Sequence, residues 1–124
     1  MSQKYIVGDI VMYKNRIHTI IGISASYSYK LSDVRNPVSP VIISGVPLTP
    51  EILEKNGWVK DKEAYINDSY HLHLCGNYDR YSVYKVVNDN IVWLTGVRNV
   101  SDLQHLLFGL GINHEMEVQL WQRE

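Results

Sequence analysis

From Tyr5 to about Leu31 apolar and polar residues alternate, most clearly over Ile10 to Tyr13 and at Ile17, Thr19, Ile21 and Ile23. A period of two is the mark of a β-strand. Lys14-Asn15-Arg16 interrupts two such runs, and Asn15 tolerates the left-handed backbone of a tight turn, so the runs are predicted to form a hairpin. Tyr27, Tyr29 and Leu31 resume the alternation after Ser24-Ala25-Ser26 and read as a third strand. Val41-Ile42-Ile43, set among Pro37, Pro40 and Pro47, reads as a short edge strand. Residues 1–47 are therefore expected to form a bent sheet or barrel of SH3-like form.

Thr49-Pro50-Glu51 has the order of a helix start: a capping hydroxyl, a proline for the first helical position and a carboxylate at the positive end. The pattern predicts a helix over 50–56 with Ile52 and Leu53 inward, stopped by Asn56-Gly57. Strands are expected at 64–66, 70–74, 80–87 and 91–97, the last two joined by the polar turn Asn88-Asp89-Asn90. Ser101-Asp102-Leu103-Gln104 matches a capping box, in which Gln104 reaches back to the Ser101 amide. Leu103, Leu106, Leu107 and Leu110 then recur at helical spacing and predict a helix near 102–110, with Gly111 as its stop. Alternation of Met116, Val118 and Leu120 suggests a terminal strand. The class is α+β, mainly antiparallel β with two short helices. At 124 residues the chain is expected to be a single domain, with 1–47 as its first β segment and 48–124 as helix, meander, helix and terminal strand.

Twelve Lys plus Arg against thirteen Asp plus Glu leave a net charge of −1, which removes the basic footprint of a duplex DNA binder. No apolar run approaches the length of a membrane span or of a leader peptide, so a soluble, cytoplasmic protein without membrane contact is expected. The one cysteine, Cys75, excludes an internal disulfide and a multi-cysteine zinc site.

His71-Leu72-His73 puts two imidazoles two positions apart, a spacing used by metal sites on strands. Two ligands are too few. A cupin-like site needs a carboxylate four or five residues beyond His73, where Asn77 and Tyr78 stand, and Asp79 comes one position late. A two-histidine phosphoesterase needs two copies of His-x-Ser/Thr, and none of the five histidines has that context. Cys75 beside the histidines sketches a Cys-His nucleophile with nothing else to support it. No G-x-S-x-G, phosphate-binding loop or dinucleotide fingerprint occurs. The expectation is a protein without catalytic residues, metal or cofactor.

Nine tyrosines and three tryptophans make aromatic residues abundant for so short a chain. Tyr27-Ser28-Tyr29-Lys30 and Tyr78-Asp79-Arg80-Tyr81 each set rings beside a cation, a combination that can stack a base and neutralise a phosphate. Alternating tyrosines also serve simply to cover a sheet core. The candidate ligand residues are Tyr27, Tyr29, Lys30, Arg35, Trp58, His71, His73, Arg80 and Tyr81.

Three stretches resemble a family of short phage and prophage proteins of gut bacteria. They are Gly8-Asp9-Ile10-Val11-Met12-Tyr13, the block from Val46-Pro47-Leu48-Thr49-Pro50 to Asn56-Gly57-Trp58, and Val100-Ser101-Asp102-Leu103-Gln104-His105-Leu106-Leu107 with Gly111-Ile112. The region from Ala64 to Val97 is unmatched, and the family usually carries His-Gln where this chain has Ser101-Asp102. The resemblance implies a viral accessory protein of the host bacterial cytoplasm and no particular chemistry. With the aromatic-cation clusters it suggests a non-catalytic sponge for a small nucleotide-derived ligand, such as a host immune signalling nucleotide. The alternatives are a module that inhibits a host protein and a small hydrolase using His71, His73 or Cys75. A chain this short has little room for a deep pocket, so self-association is expected.

Overall fold

The computed structural model describes residues 5–77 and 80–118. The chain forms two compact units. One takes the chain as far as Val46 and again from Asn99 to Met116; the other takes Pro47–Arg98 and the stretch from Glu117. The class is α+β, with two antiparallel sheets and two α-helices among the described residues.

In the first unit β1 (Ile10–Tyr13), β2 (Arg16–Ile23), β3 (Tyr29–Leu31) and β4 (Ser44–Gly45) form an open sheet in the order β3-β2-β1-β4. It does not close into the barrel that the sequence allowed. Tyr13 pairs with Arg16, leaving Lys14 and Asn15 as a two-residue loop. Both have positive φ, 50° and 64°, as a turn matched to strand twist requires. Tyr5, Val11, Ile20, Tyr29, Leu31, Val38 and Ile43 make the core. The expected strand at Val41-Ile42-Ile43 is instead a single 3-10 turn, Pro40–Ile42, capped by Ser39. Pro40 begins the turn and has no N–H to give a ladder, so Val41 and Ile42 stay exposed. The edge strand is the two residues that follow, Ser44 and Gly45, paired with β1.

The helix α1 of this fold spans Pro50–Lys55 in the second unit, and α2 spans Val100–Gly109 in the first. The cap of α2 is Asn99, whose Oδ1 accepts the Asp102 N–H at 2.9 Å. The expected capping box is thus displaced by two residues, and Gln104 is free to act elsewhere. Its buried stripe is Val100, Leu103, Gln104 and Leu107, the i, i+3, i+4, i+7 spacing of an inward face. Leu106 is only half-buried and Leu110 is 40% exposed, so the apolar stripe read from the leucines alone was rotated away from the true one.

In the second unit Thr49 Oγ1 caps α1 through the Ile52 N–H, and Ile52 and Leu53 are buried. Five strands follow as an antiparallel meander: β5 (Val59–Asp61), β6 (Ala64–Asn67), β7 (Leu72–Asn77), β8 (Arg80–Val87) and β9 (Asn90–Val97). β5 is an additional strand that the hydrophobic pattern did not announce. Met116 and Val118, expected on a terminal strand, lie in irregular chain; Leu120 falls outside the described residues. No helix among the described residues is long and apolar enough to cross a membrane.

Candidate functional site

The five-stranded sheet has two unlike faces. Tyr65, Leu72, Leu74, Tyr81, Val83 and Val97 are all buried and fall at alternate strand positions, so they share one face. Residues paired across antiparallel strands project to the same side. The register Val59 to Ile66, Ile66 to His73, His73 to Tyr84 and Tyr84 to Trp93 therefore draws a row across all five strands on the other face. Val86 and Ile91 form the next row beside it. Val59, Ile91 and Trp93 are 66%, 59% and 58% exposed, while Ile66, His73, Tyr84 and Val86 are half-buried. No residue of either row carries a fixed charge.

At one end of this face Ala64, Cys75, Ser82 and Gly96 continue the register. The Arg80 side chain lies across Gly96, where a Cβ would stand 2.9 Å from the guanidinium Nε. Beside it Asp61, Lys62, Glu63, Ala64, Cys75 and Gly76 line an open recess of about 570 Å³. Its walls are strand ends and a turn, and nothing encloses a ligand there.

The nine residues expected to bind a ligand divide between the units. In the first, Tyr29 is a core residue whose hydroxyl accepts the Tyr5 N–H at 3.1 Å, while Tyr27, Lys30 and Arg35 are exposed. In the second, Trp58 and Tyr81 are each 2% exposed; Trp58 meets Tyr70 edge to face and Tyr81 meets Tyr65. Tyr29, Trp58 and Tyr81 thus have no open ring face to stack on a ligand. His71 is not on a strand: it sits in the turn before β7 with φ 57°, so it does not share a strand face with His73. His73 and Arg80 do stand on the outer face just described. Tyr78 and Asp79 lie outside the described residues. Among the described residues no group of three His, Cys, Asp or Glu side chains is placed to hold a metal ion.

The first unit holds a polar knot that the sequence reading missed. Gln104, fully buried, accepts the Ile10 N–H at 2.8 Å and donates to the Gly8 and His114 carbonyls at 2.8 and 2.9 Å. One residue on, His105 Nε2 donates to Asp9 Oδ2, which also accepts the Ile6 N–H at 2.9 Å. Asp9 is fully enclosed, and burial pushes its carboxyl above the ordinary carboxylate range despite these donors. An Asp-His pair can orient a general base. Here it ties α2 to the chain before β1.

No protein-family model, curated protein or solved structure matches the chain.

Proposed function

We propose that this protein is a non-catalytic binding module whose working surface is the outer face of β5 to β9, and that the surface takes a protein partner. One observation carries the reading: the row Val59, Ile66, His73, Tyr84, Trp93 crosses the whole sheet with no fixed charge and with both ends exposed. Sheets that face water on one side normally alternate apolar inward with polar outward. A contiguous apolar and aromatic outer face marks an interaction surface. The resemblance to phage accessory proteins makes a host bacterial protein the class of partner.

A second reading has its own support. His73, Tyr84, Trp93 and Arg80 share this face, which joins an exposed ring to a cation and suits a small nucleotide. It is the less favoured of the two because Arg80 stands four residues from Tyr84 on β8, on the order of 13 Å along the strand.

A photo-crosslinking residue at Val59 tests the first reading, with Glu51 on the exposed side of α1 as its control. The expected result in host lysate is one discrete adduct with a different protein from position 59, lost when Ile66 is also changed to Asp, and none from position 51. Equal labelling from both positions, or none from either, overturns it. Mass spectrometry of molecules released by heating the purified protein tests the second: a nucleotide retained by the wild type and lost in Trp93→Ala would establish it.

A further inference from the structure

Among the described residues β9 has β8 on one side and no strand on the other, and β5 is the opposite edge of the same sheet. The two edges are built differently. β5 and its turn run Val59-Lys60-Asp61-Lys62-Glu63, four charged residues in five, all exposed. Charges on an edge strand keep other strands from pairing with it. β9 reads Asn90-Ile91-Val92-Trp93-Leu94-Thr95-Gly96-Val97, with neither a charge nor a proline. Ile91, Val92 and Trp93 keep 59%, 48% and 58% of their surface exposed, so its first half is open on both faces. An uncharged edge of β-branched and aromatic residues is a template for one more strand.

We propose that β9 pairs antiparallel with β9 of a second copy, about a two-fold axis perpendicular to the sheet. The occupant follows from what the edge demands. An incoming strand must be uncharged and apolar on both faces, because Ile91 and Trp93 project on the outer face and Val92 on the other. β9 has that pattern itself. Facing residues must also share a side of the sheet, so the axis passes through a residue position and not between two. Centred on Val92, the pairing sets Ile91 opposite Trp93 of the partner subunit and Trp93 opposite Ile91 of the partner subunit. Aromatic and β-branched residues are favoured cross-strand neighbours. A net charge of −1 per chain opposes such a contact very little. The outer face then runs unbroken across ten strands, an isologous closed assembly that leaves no β9 edge free.

Sedimentation equilibrium of the full chain over a dilution series is the test, with Val92→Lys and Ile91→Lys on β9 and Val59→Lys on β5. The wild type and Val59→Lys are expected to reach twice the chain mass at high micromolar concentration. Both β9 variants should weaken the dimer by about tenfold or more. A monomer at every concentration overturns the proposal, and so does a dimer that both β9 lysines leave intact. Should the lysine variants fail to fold by circular dichroism, amide hydrogen exchange of the wild type decides. Slower exchange in β9 with rising concentration supports the pairing, and exchange independent of concentration overturns it. The partner-protein reading is probed at Val59 on β5, the opposite edge of the sheet with three strands between it and β9, so either result can fail without the other.

Discussion

Asp9 and His105, 96 positions apart in the chain, meet in a single hydrogen bond between a fully enclosed carboxylate and a half-open imidazole. Burial is the largest influence on Asp9 and raises its pKa; the Ile6 N–H and then His105 act against it. A carboxyl with a raised folded-state pKa binds more protons folded than unfolded, so stability falls as pH rises between the unfolded and folded values. Asp9→Asn keeps an acceptor for Ile6 and His105 but cannot ionise. Wild type is therefore expected to lose stability relative to Asp9→Asn as pH climbs out of the ordinary carboxylate range. Urea unfolding of both proteins at a series of pH values checks this, and a difference of the opposite slope would refute it.

Gln104 is the second hinge of that knot. Replacing it by Leu keeps much of the volume but strips a buried N–H of Ile10 and two carbonyls of their partners. Each unsatisfied buried group costs about 1 to 3 kcal/mol, and relaxation recovers part of the sum, so Gln104→Leu is expected to cost about 2 to 4 kcal/mol. Chemical denaturation measures it. A near-neutral result would mean that water replaces the amide.

Much of the fold was legible because local signals agreed with burial. The Lys14-Asn15 turn, the Thr49 cap and the Asn88-Asp89 turn all sit where turn and cap chemistry put them. The α2 stripe was misread for a physical reason. Leucine spacing assigns the inward face by hydrophobicity, whereas a glutamine that satisfies backbone groups from β1 can be buried in place of a leucine. The binding face was illegible for a related reason. Trp93 and Ile91 announce a strand, but only the register of all five strands shows that they line up with Val59, Ile66, His73 and Tyr84. The clusters chosen from adjacency to a cation instead drew on Tyr29 and Tyr81, whose rings the cores consume. His73 and Arg80 were the two that did lie on that face.

Two glycines are expected to respond in opposite directions to the same change. Gly76 has φ 134°, and a Cβ there would run into the Arg80 carbonyl of the paired strand. Gly76→Ala is expected to cost about 2 to 4 kcal/mol through backbone strain at the β7–β8 end. Gly109 lies in the last turn of α2 with nothing within 4 Å of a Cβ. Gly109→Ala should stabilise by about 0.5 to 1 kcal/mol, because alanine loses less backbone entropy on entering a helix. Thermal unfolding of both variants gives the sign directly.

Trp58 and Trp93 separate what holds the second unit together from what it presents. Trp58 is 2% exposed, packs edge to face against Tyr70, and follows the stop of α1. Truncating so large a buried ring removes its transfer free energy and leaves a cavity, so Trp58→Ala is expected to cost about 3 to 5 kcal/mol. Trp93, at 58% exposed, has little burial to lose. In dilute protein Trp93→Ala should shift stability by less than about 1 kcal/mol. If the outer face is a working surface, that same variant must lose partner binding, since exposed tryptophans are the residues from which interfaces draw disproportionate energy. Denaturation curves paired with a binding assay check both halves. A Trp93→Ala protein as destabilised as Trp58→Ala would make the outer face structural, and one that is stable and still binds fully would remove Trp93 from the interface.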